Sequence, residues 1–76
     1  MELYVRQGCP YCVKVLDAAN RLGVQLTLHD IADSAVAQEL IARGGKQQVP
    51  YLVDSARGVE LYESNDIIAH LEEWAG

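Results

Sequence analysis

Nowhere does the chain carry an apolar run approaching the roughly 18 residues of a membrane span. Its first residues, Met1 to Arg6, also lack the basic start and apolar stretch of a signal peptide. Together these absences predict a cytoplasmic chain with no membrane partner. Basic residues are few, six Lys and Arg against eleven Asp and Glu, for a net charge of -5. They are scattered along the chain, and phosphate contacts need clusters, so a non-specific nucleic-acid binder is excluded. Cysteine is scarcer still. Only Cys9 and Cys12 are present, too close together to staple a fold by closing a long loop. A Cys-x-x-Cys pair is half of a zinc site, but no second pair exists, and His29 and His70 lie far along the chain. No resident metal is expected, and reactivity is left as the main role for the two thiols.

What is present suits one small domain. Seventy-six residues leave no room for a second core, and an apolar share of 50% is enough to close a modest one. The whole of 1–76 is therefore one domain, without visible repeat, linker or low-complexity tract. Met1 to Arg6 sets Leu3 and Val5 against Glu2, Tyr4 and Arg6, the period of two that predicts a strand ending at Gln7-Gly8. From Pro10, the residues Cys12, Val15, Leu16, Ala19 and Leu22 recur at helical spacing. Pro10 suits the first helical position and Gly23 the left-handed cap. Val24, Leu26 and Leu28 then alternate as a second strand. Asp30 to Ser34 offers helix-starting side chains ahead of Val36, Ala37, Leu40 and Ile41, and Gly44-Gly45 ends that helix. Val49 to Val53 and Val59 to Tyr62, joined by a turn over 54–58, predict an antiparallel hairpin. Ser64 starts a last helix that packs Ile67, Ile68, Leu71 and Trp74. The order βαβ, then α, then ββα predicts an α/β chain with a four-stranded mixed sheet flanked by three helices, a thioredoxin-like layout.

The cysteine pair falls at the junction of the first strand and the first helix. Disulfide exchange needs one accessible thiolate and a second thiol close enough to attack the mixed disulfide that forms. Cys9, just ahead of the helix, meets unpaired N–H groups and the positive dipole end, which favour its thiolate. Cys12, one turn in, stays a thiol until needed. Arg6 adds a permanent positive charge, and Lys14 is a second candidate. The plainer reading keeps Cys12 as a small core residue on the apolar stripe of its helix.

In the run Cys9-Pro10-Tyr11-Cys12, with Arg6 before it, Val49-Pro50 ahead of a strand and the polar helix start Ser64 to Asp66, the chain resembles the dithiol glutaredoxins over nearly its whole length. The resemblance implies a glutathione-dependent thiol-disulfide oxidoreductase with Cys9 as nucleophile and Cys12 as resolving thiol. It implies a cis Pro50 that faces the active cysteine and leaves the Val49 backbone to pair with the cysteinyl part of glutathione. It also implies a γ-glutamyl site at the Ser64 and Asn65 backbone, with Asp66 or Glu63 for the ammonium. Tyr11 would lie over the ligand, with Arg6, Lys46, Gln47 or Gln48 taking the glycine carboxylate. Many glutaredoxins have Gly-Gly before the last helix, whereas this chain has Tyr62-Glu63 followed by Ser64. That Glu-Ser is similar to the N-terminal domain of glutathione transferases.

The partners expected are glutathione and oxidised or glutathionylated proteins, met by a monomer. Two alternatives accompany the oxidoreductase. One is a transferase-like module that holds glutathione without cycling, motivated by Glu63-Ser64. The other is a glutathione-ligated iron-sulfur carrier, disfavoured because Pro10 and Tyr11 stiffen and crowd the loop.

Overall fold

A computed structural model describes residues 1–75 of the chain. Seven elements follow one another: β1 (Glu2–Val5), α1 (Pro10–Leu22), β2 (Thr27–Asp30), α2 (Ser34–Gly44), β3 (Tyr51–Asp54), β4 (Val59–Leu61) and α3 (Ser64–Ala75). The strands form one sheet in the order β2-β1-β3-β4. β1 runs parallel to β2, across the α1 crossover, and antiparallel to β3, which pairs antiparallel with β4. This is the thioredoxin-like fold expected from the pattern of elements.

Local chemistry sets the helix ends. Cys9 is the N-cap of α1 and Pro10 its first residue, while Gly23 closes the helix at φ 71°, a left-handed conformation that glycine adopts without steric cost. At α2 the Asp33 side chain caps the Ala35 N–H at 2.9 Å, and Asp30 accepts from Ala32 in the approach to it. Of the helix-starting residues in 30–34, Asp33 is thus the cap. The second strand is shorter and later than its alternation predicts. β1 opens at Glu2, whose partner is Thr27, so Val24 to Leu26 lie beyond the end of β1 with no strand opposite. Val24 and Leu26 still pack against the core.

The sheet is covered on both faces. On one, Leu3 and Leu52 meet Val15 and Ala19 of α1 and Ile67 and Leu71 of α3. On the other, Tyr4, Tyr51 and Val53 pack with Ile31 and with Leu40 of α2. Double coverage explains why Tyr4, which the alternation assigns to the polar side of its strand, is 0% exposed. The Tyr4 hydroxyl donates to Glu39 of α2 and the Tyr51 hydroxyl to Glu60 of β4, while Arg43 stands 3.8 Å from both carboxylates. Burial and the Glu39 hydrogen bond push the Tyr4 phenol up to about 12. Two further residues differ from expectation. Asp54 is the buried last residue of β3 rather than part of the turn, and Trp74 is 49% exposed with the Arg57 guanidinium 4.5 Å over its ring. α3 buries Ile67 and Leu71 fully, whereas Trp74 stays outside the buried cluster.

Candidate functional site

The site lies where the start of α1, the β3 approach and the start of α3 converge. At the first, Cys9 has extended backbone (φ -80°, ψ 114°), and its Sγ accepts the Cys12 N–H at 3.2 Å. A thiol thereby takes the place of the Ser or Asp oxygen that usually caps a helix. Burial pushes the Cys9 thiol up, but the hydrogen bonds it receives from the Cys12 thiol and from the Cys12 and Tyr11 backbone, with the Arg6 charge, outweigh this and hold it below the ordinary value. Cys12 moves the other way, raised by burial and by the hydrogen bond and negative charge of Cys9. The two thiols are thus shifted in opposite directions. Cys9 is nevertheless only 4% exposed, less open than an exchange nucleophile was expected to be. Both cysteines are free thiols.

Beside this cap, a cavity of about 600 Å³ is lined by Tyr11 from α1, by Gln48, Val49 and Pro50 before β3, and by Tyr62 to Asp66 at the start of α3. The Val49–Pro50 peptide is cis. Tyr11, Gln48, Val49, Pro50, Ser64 and Asn65 share the one cavity, whereas Arg6 lines a neighbouring one of about 350 Å³ with Gln47, Ile31 and Ala32. Gln48 and Val49 form the wall common to both. Tyr11 is 62% exposed. Glu63 and Asp66 also face the main cavity.

Two basic residues engage side chains of the main cavity lining. Lys14 donates to the Asn65 side-chain oxygen at 2.8 Å, tying α1 to α3. Lys46 lies with its ammonium 4.9 Å from the centre of the Tyr62 ring. Tyr62 itself went unremarked in the sequence except as a departure from Gly-Gly. It is a cavity residue whose partner, Lys46, is sixteen positions away, and no local pattern announces that contact. Among the described residues, no three His, Cys, Asp or Glu side chains stand close enough together to hold a metal ion, and no helix is long and apolar enough to cross a membrane.

The profile of the family described as "Glutathione S-transferase, N-terminal domain" matches residues 3–76. The chain belongs to that family. Among solved structures, this transferase-type domain is similar to a delta-class glutathione transferase of Nilaparvata lugens, at 32% identity and a TM-score of 0.82 over 99% of this chain and 36% of that one. It is similar to glutathione S-transferase 1-6 from Anopheles dirus species B, at 28% identity and a TM-score of 0.80 over 96% and 35%. The glutaredoxin from Brucella melitensis follows the same fold at 27% identity and a TM-score of 0.67, over 95% of this chain and 76% of that one. No curated protein matches. The domain thus spans about a third of the length of the transferases it resembles. The family is the one signalled by Glu63-Ser64, while the likeness carried by Cys9-Pro10-Tyr11-Cys12 extends to a solved glutaredoxin without deciding the activity.

Proposed function

We propose that the chain is a glutathione-dependent thiol-disulfide oxidoreductase that reduces protein disulfides or glutathione mixed disulfides. The observation that carries this reading is the Cys9 thiol at the α1 cap, where its Sγ accepts the Cys12 N–H at 3.2 Å, a setting that lowers Cys9 and raises Cys12. The Cys9 thiolate attacks one sulfur of a substrate disulfide, forming a Cys9 mixed disulfide and expelling a thiolate that takes up a proton. That step removes the negative charge and the hydrogen bond by which Cys9 holds Cys12 protonated. Cys12 then loses its proton more readily and attacks the Cys9 sulfur. The second substrate thiol leaves, and a Cys9–Cys12 disulfide forms. Two glutathione molecules supply the electrons that restore both thiols, leaving as glutathione disulfide.

The cavity gives glutathione a place. Val49 offers its backbone to the cysteinyl part, and the Ser64 and Asn65 N–H groups at the start of α3 suit the γ-glutamyl carboxylate, with Glu63 or Asp66 beside them for the ammonium. Arg6, Gln47 and Gln48, around the neighbouring cavity, suit the glycine carboxylate. A hydroxyethyl disulfide assay coupled to glutathione reductase tests the proposal. Turnover in the parent chain and its loss in Cys9→Ser are expected, and full activity in Cys9→Ser would sink the idea.

The family match and the low exposure of Cys9 favour one second reading, a module that holds glutathione without cycling. It requires binding of S-methylglutathione, whose blocked thiol cannot exchange, together with negligible disulfide reduction by the parent chain.

A further inference from the structure

Tyr62 stands between two walls of the main cavity. It directly precedes Glu63 and Ser64 on one wall, and it holds the chain that leads into Gln48 and Val49 on the other. Its hydroxyl accepts the Lys46 N–H at 3.1 Å and donates to the Lys46 carbonyl at 2.8 Å, so a single oxygen satisfies both backbone groups of one residue. The ring leans on Tyr51 of β3 at 4.4 Å between centroids, and the Lys46 ammonium stands 4.9 Å from its centre. Room for the hydroxyl comes from Gly44, where a Cβ would fall 2.1 Å from the Tyr62 oxygen. The turn out of α2, with Gly45 at φ 88°, then delivers Lys46 to that oxygen.

Resting on the glutathione reading above, we propose that Tyr62 is a positioning residue that sets the width of the glutathione cavity by tying the Lys46 backbone to the start of α3. Lys46 is two residues from Gln48 and three from Val49, so freeing its backbone loosens the wall that meets the ligand. Deleting the hydroxyl leaves the ring packing, and the two Lys46 groups it abandons are exposed to solvent, so the fold persists in Tyr62→Phe.

The probe is S-methylglutathione, titrated by calorimetry into the full chain and into Tyr62→Phe. A dissociation constant raised about fivefold to tenfold is expected, the range for losing well-placed hydrogen bonds that preorganise a site. In the coupled assay the KM for glutathione should rise in parallel while kcat stays close to the parent value, and the pH profile of Cys9 alkylation should not move. Amide exchange should accelerate at Lys46. Gly44→Ala, whose new methyl group would collide with the Tyr62 hydroxyl and with the ring carbons beside it, displaces the whole side chain and should raise the S-methylglutathione dissociation constant at least as much. Faster Lys46 exchange with unchanged affinity overturns the role given to Tyr62. Failure of the parent chain to bind S-methylglutathione overturns the glutathione reading itself, and this role with it.

Discussion

The division of labour between Cys9 and Cys12 is decided by which partner each thiol faces. Cys9 accepts hydrogen bonds from Cys12 and from the first N–H groups of α1, whereas Cys12, in the first turn of α1, is buried and feels the Cys9 charge. Arg6 acts on Cys9 through charge alone and is the weakest of the lowering influences. The causes therefore rank, and the ranking is measurable. Removing the Cys12 thiol with Cys12→Ala should raise the pH at which Cys9 becomes alkylated by iodoacetamide more than removing the charge with Arg6→Gln. The thiolate is the reacting form, so at neutral pH both variants should react more slowly than the parent, Cys12→Ala the slower of the two. A larger shift from Arg6→Gln would mean that long-range charge, not the cap, tunes the site. Most of this arrangement is legible in the sequence, because a Cys ahead of Pro10 at the end of an alternating strand can only fall at a helix start. The burial of Cys9 is not legible, because the alternation and helical spacing around it say nothing of how the folded chain covers it.

Each wall of the cavity moves only as far as its element allows, and α3 is held by a buried polar contact. Asp54, the last residue of β3 and 2% exposed, accepts from His70 of α3 at 2.8 Å and from Arg57 at 2.9 Å. The His70 hydrogen bond, and then Arg57, hold the Asp54 carboxyl below the ordinary carboxylate range against the opposing effect of burial. A carboxyl whose pKa is lower folded than unfolded stabilises fully above its unfolded value, about 3.9, and that stabilisation is lost as pH falls through the folded value. Asp54→Asn should thus cost about 2 kcal/mol near pH 6, the scale of hydrogen bonds to a charged group. The deficit relative to the parent should shrink as the pH is lowered past about 4. Urea unfolding of both proteins at several pH values checks it, and a pH-independent deficit would show that the contact does not depend on the Asp54 charge. The sequence places Asp54 in a turn and gives His70 no partner, because β3 runs one residue further than its apolar run. The same tertiary override misplaces Trp74, which continues the helical stripe of Ile67 and Leu71 but stays half exposed beside the Arg57 guanidinium.

At the scale of the molecule, both cores rest on the same two central strands. β1 contributes Leu3 to one face and Tyr4 to the other, and β3 contributes Leu52 to one and Tyr51 and Val53 to the other. The radius of gyration, 11.4 Å, is that of a fully condensed chain of this length, close to the ~11 Å that size scaling gives. Neither face has strands of its own on which to persist alone. At roughly 0.05 to 0.15 kcal/mol per residue, a chain of this size has only about 4 to 11 kcal/mol of stability. Leu52→Ala opens a cavity in the face covered by α1 and α3 and should remove about 2 to 5 kcal/mol, a large share of that total. Because β3 is common to both faces, the loss should be felt on both at once. Unfolding followed by Trp74 fluorescence, from the end of α3, should coincide with unfolding followed by tyrosine near-ultraviolet dichroism, dominated by Tyr4, Tyr51 and Tyr62 across the sheet. Transitions that separate in Leu52→Ala would show that the tyrosine face folds as its own unit. Coincident ones would mean that the cavity between α1, β3 and α3 exists only when the entire sheet does, so glutathione binding and global folding would be linked through β3.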